Sequence, residues 1–462
     1  MTNTMAKRPL MTRDREFYAN LFRLAIPIAV QSIITFSVNF ADNLMIGRLG
    51  DIAVSGVYMG NQFQTILQLF TAGVDSAMLI IAAQYWGIKD TKSVRKIAGM
   101  GIRISVIVGF ILTALILLLP RPFISLFTSD AEVIDSAVEY MTIVALSYVF
   151  FCASQLMISA QRSVENAKLG MYVSLMALVT NVGLNYILIF GKLGLPALGV
   201  RGAAIATLIA RIIECAVVFI YAFRIDKKLQ MKFSDLFAKA PTLRKDFIRN
   251  GTPVVLGQLV WAANMLTYSG VMGHMAASAV TAASIVGQLE NLLRVFAFGL
   301  SAALGIITSK TVGAGKFEKM KEYATTAQII FLIVGLLSAG LIQLLKHPFI
   351  SLYDVSDEAI NYAVTFMNIL TFTYVGTCWQ ATCLGGLVKS GGDTSFVFKN
   401  DTIFVFLVVI PSSIIALVTG APAWVVFLCL KCDQILKCIV AYFKINSFNW
   451  MKKLTRENLS QE

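Results

Sequence analysis

The sequence predicts an all-α integral membrane protein with 12 transmembrane helices in two parallel six-helix bundles, a 6+6 repeat. Of its 462 residues, 57% are hydrophobic and only 14% are charged, whereas soluble domains carry about 25% charged residues. Uncharged apolar runs recur along the chain, and about 20 such residues suffice to cross a bilayer. The sequence also repeats itself at one fixed offset. These observations exclude a water-soluble enzyme, a disulfide-rich secreted protein and a disordered chain.

The apolar runs predict six helices in each half of the chain. In order, they cover residues 20–46, 53–84, 98–120, 136–160, 169–190 and 202–223, then 250–273, 278–309, 323–346, 359–388, 401–418 and 423–443. Boundaries assigned from such runs are good to a few residues.

Matching residues in the two halves support the repeat. Pro27 and Pro253 are 226 positions apart, and the block 122–127 (PFISLF) has its counterpart at 348–353 (PFISLY). An even number of spans separates the copies, so both halves enter the membrane from the same side. In transporters built from parallel repeats, access alternates by rocking one repeat against the other.

The net charge of +13 follows the predicted topology. Most Lys and Arg residues fall in the tails and in alternate loops, which by the positive-inside rule places both termini in the cytoplasm. We therefore predict a multi-pass protein of the cytoplasmic (inner) membrane whose basic segments face lipid head groups and not nucleic acid. The predicted domains are residues 1–224 and 249–445, joined by a cytoplasmic connector at 225–248 and followed by a tail at 446–462.

Polar side chains recur at helical spacing on the first two predicted helices. Such side chains are costly in hydrocarbon and usually face a bundle interior or a wet cavity. We therefore predict a substrate cavity in the N-terminal half. Its predicted lining comprises Gln31, Thr35 and Asn39 on the first helix, and Asn61, Gln64, Gln68 and Asp75 on the second.

Each of these series of polar residues forms a polar stripe along its helix. Asp42 is the last residue of the stripe on the first helix, and it is the strongest candidate for ion coupling. A carboxylate taken out of water is stabilised when a proton or a cation neutralises it. The alternative is an ordinary solvated carboxylate near the end of its helix. Asn181 and Asn185 are i,i+4 neighbours whose amide oxygens suit a hard cation; they could equally hydrogen-bond between helices.

Glu290 and Arg294 stand at the register of Gln64 and Gln68 in the second half. Their i,i+4 spacing permits an intrahelical ion pair, and the alternative is that one of them lines the substrate cavity. No catalytic residues, metal site or cofactor are predicted, since only two histidines are present and no nucleotide-binding motif is complete. An ion gradient is then the remaining energy source for transport.

The chain resembles the multidrug and toxic compound extrusion (MATE) family. The likeness is carried in order by residues 26–50 (from Ile26-Pro27 through Phe40-Ala-Asp42), by 83–87 (AQYWG), 181–191 (NVGLNYILIFG) and 198–207 (LGVRGAAIAT), and by the Gly-Gly-Asp turn at 391–393. It spans essentially the whole chain.

The resemblance implies antiport: export of amphipathic, often cationic compounds in exchange for H+ or Na+. The positions that match the family's N-terminal cation site are Asp42, Asn181, Asn185 and Thr207. One branch of the family has a second aspartate where this chain has Asn185, and that departure leaves the coupling ion open. Another branch has carboxylates on helices seven and ten, but residues 253–268 and 371–391 contain none.

The expected partners are small amphipathic molecules and the lipid bilayer, and the chain is expected to act as a monomer. Two other functions are compatible with a repeated membrane fold. A lipid-linked oligosaccharide flippase has the same kind of repeat but requires a strongly cationic cavity for its pyrophosphate. A passive channel would conduct without a counter-gradient, and a long polar stripe ending in one carboxylate is not expected there.

Overall fold

The computed structural model describes residues 11–125 and 127–456, and all regular structure within them is helical. The first half contains α1 (Arg15–Gly47), α2 (Asp51–Gly87), α3 (Thr91–Leu118), α4 (Pro120–Ile124), α5 (Ala131–Ala145), α6 (Tyr148–Ser163), α7 (Lys168–Phe190) and α8 (Gly199–Ile220). A π-helical segment, Tyr221–Ile225, and a 3-10 helix, Phe233–Phe237, follow α8.

The second half contains α9 (Pro241–Gly273), α10 (Ala277–Gly313), α11 (Phe317–Ile350), α12 (Asp357–Gly376), α13 (Thr394–Phe404), α14 (Ile410–Val418), α15 (Ala423–Lys431) and α16 (Asp433–Ser447). Three π-helical segments interrupt these helices, at Thr377–Ala381, Leu384–Lys389 and Val405–Val409. Such segments are uncommon and often occur at functional sites.

The repeat seen in the sequence is also present in the helix boundaries. α1 and α9 begin and end 226 residues apart, and so do α2 and α10. The starts of α3 and α11 keep the same offset. Because similar apolar patterns give helices of similar length and direction, the two halves are built from corresponding elements.

Ten of the predicted spans have an unambiguous counterpart. Within the described residues nine helices are long and apolar enough to cross a membrane, and α5 with α6 form a tenth span bent by 48°. The two remaining predicted spans, 359–388 and 423–443, are covered by interrupted helices. α12 continues through two π-helical segments, and Cys432 separates α15 from α16.

The described chain forms two compact units. The N unit comprises residues 30–255 and 456, and the C unit comprises residues 11–29 and 256–455. The chain passes between units inside α1 and α9, in each case two residues after an internal proline, Pro27 or Pro253. Proline removes a backbone donor and is the usual cause of a helix bend.

Each unit has its own apolar core. Leu67, Met141 and Tyr148 lie at the centre of the N unit, whereas Phe366 and Phe427 stack in the C unit with ring centroids 4.3 Å apart. Since lipid is as apolar as these side chains, their close packing and not the hydrophobic effect holds the helices together.

The predicted connector, residues 225–248, docks on α3 within the N unit. Arg95 and Arg103 donate hydrogen bonds to the backbone carbonyls of Gln230 (2.9 Å) and Ala238 (3.0 Å). Gly99 lets the connector approach, because a Cβ there would lie 2.3 Å from the Asp235 carbonyl oxygen. The domain boundaries given above remain a prediction.

Candidate ion-coupling and substrate site

Asp42 lies on the half of α1 that belongs to the N unit, facing α7. Its Oδ1 accepts a hydrogen bond of 2.5 Å from Nδ2 of Asn185. The same amide nitrogen donates to Oδ1 of Asn181 at 3.2 Å, and Nδ2 of Asn181 donates to Oγ1 of Thr207 on α8 at 3.5 Å. The four residues matched to a cation site by resemblance thus form one continuous hydrogen-bonded chain across three helices.

Among the described residues, one buried oxygen of this chain has no hydrogen-bond partner. Asn185 is 1% exposed, and its Oδ1 is buried without a hydrogen bond among the described residues. A buried acceptor that is left unpaired costs about 1–3 kcal/mol. This oxygen belongs to the same side chain that binds Asp42, and it is free to accept a hydrogen bond or to coordinate a cation.

A cavity of about 510 Å³ opens beside this chain, inside the N unit. A volume of this size is within the range of small-molecule sites. Its wall is largely polar and is formed by α1, α2, α5, α6, α7 and α8. The polar lining residues are Thr35, Asn39, Asp42, Asn43, Asn61, Gln64, Thr65, Gln68, Tyr140, Gln155, Ser174, Asn181, Thr207, Arg211 and Glu214.

Five of the predicted cavity residues therefore line this cavity: Thr35, Asn39, Asn61, Gln64 and Gln68. The hydroxyl of Tyr140 donates to Oδ1 of Asn61 at 3.2 Å, which fixes one amide of the wall. Residues from the polar stripes of α1 and α2 meet at this cavity, and its role in binding substrate stays a prediction.

Gln31 and Asp75 were predicted to line the cavity, but they lie elsewhere in the N unit. Oε1 of Gln31 accepts a 2.7 Å hydrogen bond from the guanidinium of Arg162, and the charge of Asp75 acts on that same guanidinium. These residues lie outside the cavity because the polar stripe is longer than the cavity wall. Gln31 and Asp42 are 11 residues apart, about 16 Å along a helix, so one stripe serves two separate clusters.

Glu290 and Arg294 were also predicted to line the cavity, but they belong to the C unit. Oε1 of Glu290 accepts from Arg294 at 2.7 Å, and Oε2 accepts from Lys431 at 2.8 Å. The expected intrahelical pair is therefore present, extended by a second cation. Tyr268, at the register of Asp42, lies beside this cluster, with the Lys431 ammonium 5.3 Å from its ring centroid.

The cavity wall also contains an ionic pair, Arg211 and Glu214, to which the sequence assigned no function. Arg211 donates to Glu214 at 2.6 Å, and Glu214, which is 2% exposed, also accepts from Ser154 and Gln155 at 3.2 and 3.1 Å. The Arg211 guanidinium lies 5.1 Å from the ring centroid of Phe151. Their i,i+3 spacing predicts a pair, but spacing alone does not place that pair at the cavity.

Comparison with known proteins identifies the family of this arrangement. The MatE family model matches residues 27–187 and 253–419. A probable multidrug resistance protein NorM from Thermotoga maritima is 24% identical over 377 residues, which is 81% of both chains. An uncharacterized transporter, YisQ from Bacillus subtilis, is 23% identical and covers 98% of both chains.

Solved structures share the fold. A point mutant of the Vibrio cholerae MATE transporter VcmN superposes with a TM-score of 0.85 at 17% identity, over 95% of this chain and 98% of that one. An outward-facing multidrug resistance MATE family transporter gives a TM-score of 0.83 at 18% identity, over 95% and 99%. The predicted all-α membrane fold of twelve helices in two bundles is confirmed.

Proposed function

Because the matched residues make this chain a member of the MatE family, we propose that it exports amphipathic, often cationic small molecules in exchange for H+ or Na+. It is a multi-pass membrane protein of a transporter family and not an enzyme. Antiport, alternating access and the roles of individual residues are the content of the proposal. The printed names of several relatives, probable multidrug resistance proteins, support the substrate class.

The observation that carries the proposal is that Asp42 lines the cavity and is hydrogen-bonded to the Asn185–Asn181–Thr207 chain, whose two asparagines are buried. A cation arriving at Asp42 meets its carboxylate next to the side chain of Asn185, whose Oδ1 is unpaired among the described residues; carboxylate and amide oxygens are both hard ligands. A proton arriving there neutralises the carboxylate directly. In either case the free-energy cost of keeping a carboxylate away from bulk water is removed.

Charge counting explains how ion and substrate exclude one another. The acidic and basic residues that line the cavity are Asp42, Glu214 and Arg211, with a formal charge of −1 in total. One monovalent cation makes the cavity neutral, whether it is a coupling ion at Asp42 or a monocationic substrate. Holding both leaves an unpaired positive charge in a confined space, which is costly. Exchange of one for the other follows.

The export direction follows from topology. With both termini in the cytoplasm, as the basic loops predict, a cation enters from outside, neutralises Asp42 and weakens the hold on a cationic substrate. The state without substrate then becomes more populated, because the ion binds the two states with different affinity. We place the protein in the inner membrane and treat one chain as the transporting unit.

The oligosaccharide flippase is disfavoured by the same charges. A pyrophosphate group needs several cations, whereas the cavity wall presents two carboxylates and one guanidinium. That guanidinium is already bonded to Glu214.

The test is ethidium efflux from proteoliposomes under an imposed Na+ gradient, a pH gradient or neither. We expect one gradient to drive efflux by the wild type and Asp42→Asn to abolish that gradient-driven part. Tyr268→Phe, at the matching register of the C unit, serves as the control and should retain coupling. Full gradient-driven efflux by Asp42→Asn at normal protein level would refute the proposal, and efflux without any gradient in the wild type would indicate a channel.

A further inference from the structure

A second buried ionic network lies in the C unit and shares no residue with the Glu290 cluster. The ammonium of Lys437 lies 3.0 Å from Oδ2 of Asp433 and 3.0 Å from Oδ1 of Asp401. Asp433 is 1% exposed, whereas the side chain of Asp401 is 35% exposed and therefore partly hydrated. The charge of Asp433 is thus balanced by the Lys437 ammonium and not by solvent.

Neutral side chains complete the coordination of Asp433. Nε2 of Gln434 donates to its Oδ1 at 3.1 Å. Oε1 of Gln434 in turn accepts from Thr377 (3.1 Å) and from Gln380 (3.0 Å). Both carboxylate oxygens of Asp433 therefore have a partner: Oδ1 accepts from the Gln434 amide, and Oδ2 lies beside the Lys437 ammonium.

The backbone around this network is irregular. Asp433 is the first residue of α16 and directly follows Cys432, where the regular helical hydrogen-bond pattern is interrupted while the backbone keeps helical dihedral angles. Thr377 and Gln380 belong to a π-helical segment. Gly376 permits the close approach, because a Cβ there would lie 2.3 Å from the backbone oxygen of Gln434.

The repeat relates this network to the N-unit site. Asp433 stands at the register of Thr207, 226 residues on, and Lys437 stands at the register of Arg211. In the N unit, Thr207 ends the hydrogen-bonded chain that starts at Asp42. The carboxylate of the C unit thus lies at the position corresponding to the polar end of the N-unit chain.

We propose that Lys437 is a tethered cation: its ammonium takes the place that a mobile monovalent metal ion would occupy between Asp433 and Asp401, so that the C unit binds no coupling ion. Stability alone is a weak explanation of this network, since buried ion pairs contribute little net stability compared with apolar packing. An ammonium group and an alkali cation carry the same charge, and both bind carboxylate oxygens. The consequence for transport, a single coupling ion per cycle, rests on the proposed function, whereas the ion-binding claim does not.

The experiment removes the ammonium and measures whether a free cation replaces it. Asp42→Asn serves as the background, so that the N-unit site does not contribute. Thermal unfolding of purified protein is followed in NaCl, KCl and choline chloride at equal ionic strength. Asp42→Asn alone should melt at the same temperature in all three salts. Adding Lys437→Ala should lower the melting temperature in choline, and Na+ or K+ should restore it by about 2 °C or more.

Lys431→Ala is the matched control in the same background. It also removes a lysine of the C unit that is largely shielded from solvent, its side chain being 12% exposed, but its partner Glu290 keeps the ion pair with Arg294. No ion-specific recovery is expected. Lys437→Arg, which keeps a tethered positive charge, should also show none. Addition of Asp433→Asn to Lys437→Ala should abolish the recovery, because it removes the carboxylate that would bind the ion.

Two results would overturn the proposal. One is a folded Lys437→Ala protein that responds equally to Na+, K+ and choline. The other is a Na+ or K+ response in Asp42→Asn alone that Asp433→Asn removes, since a mobile ion would then bind despite the lysine. If Lys437→Ala does not fold, Lys437→Gln keeps a hydrogen-bond donor, and the same ion-specific recovery is expected from it.

A measurement on the unaltered protein does not depend on the folding of any variant. If the N unit exchanges one monovalent ion for one monocationic dye, the exchange moves no net charge. An imposed membrane potential should then leave gradient-driven exchange unchanged, and acceleration by an inside-negative potential would overturn the single-ion claim. Retained coupling in Asp42→Asn would refute the proposed function instead, and the melting experiment would still test Lys437.

Discussion

The N unit and the C unit have corresponding helices but opposite electrostatic arrangements. In the N unit, Asp42 is hydrogen-bonded to a neutral amide beside an open cavity. In the C unit, Glu290 and Asp433 are each bonded to a cation of the protein itself. Under the proposed function this carboxylate of the N unit serves a mobile partner, whereas Glu290 and Asp433 of the C unit, like Glu214 of the N unit, are paired with cations of the protein itself.

This difference arises from single positions within a shared register. Tyr268 replaces Asp42, Glu290 and Arg294 replace Gln64 and Gln68, and Asp433 replaces Thr207. None of these exchanges alters the apolar pattern that forms the helices. Fold and charge are therefore separable in a repeat: apolar residues maintain the helices and, under the proposed function, a few polar positions decide whether a unit binds an external ion.

The largest effect is expected on stability in the C unit. Glu290→Gln leaves Arg294 and Lys431 without a carboxylate, and breaking a buried ionic cluster in this way costs about 3–5 kcal/mol. Glu214→Gln in the N unit should cost less, about 1–2 kcal/mol, because Arg211 faces the cavity and can be hydrated. Thermal unfolding of the two purified variants measures both. Equal losses would show that the two units do not differ as described.

A smaller effect is expected at the N-unit chain. Asn185→Leu removes the donor to Asp42 and the unpaired oxygen, and loss of such a supporting group typically costs about 10- to 100-fold in ion affinity. The half-saturating ion concentration for dye efflux should rise accordingly, whereas Asn185→Asp should lower it. Asn446→Leu, which removes an amide bonded to Gln328 in the C unit, is the control. An unchanged ion dependence in Asn185→Leu would exclude this amide from ion binding.

The smallest effect concerns Asp393, which lies between helices at the Gly-Gly-Asp turn of the C unit. Burial alone would raise the pKa of Asp393, but hydrogen bonds from Lys444 (2.7 Å) and Lys452 (2.8 Å) hold it below its ordinary value of 3.8. A carboxyl whose pKa is lowered on folding adds stability above its unfolded pKa and loses it as the pH falls through the folded one.

The wild type should therefore exceed Asp393→Asn in melting temperature by a constant amount above about pH 4, and the gap should narrow below that pH. Melting curves of both proteins from neutral pH downwards test this. A gap that does not change with pH would show that the two lysines do not stabilise the ionised carboxyl.

Much of the site could be predicted from residue types and spacing. The stripes of α1 and α2 gave five residues that line the cavity, and the matched positions Asp42, Asn181, Asn185 and Thr207 are joined by hydrogen bonds. Their role in ion coupling remains a prediction. Gln31 and Asp75 could not be separated from the stripes, because helical periodicity fixes the face of a helix but not the depth at which a cavity ends.

By itself, the sequence determined the membrane class, the repeat at 226 residues, the approximate helices and the family resemblance, since these depend on apolar runs and local order along the chain. Only the tertiary structure decided that Arg211 and Glu214 line the cavity, that Lys431 reaches Glu290, and that Lys437 joins Asp433 to Asp401. The pairs Lys431–Glu290 and Lys437–Asp401 join different helices and depend on distances of a few ångströms between their side chains. Helix packing sets those distances, and no local pattern in the sequence encodes them.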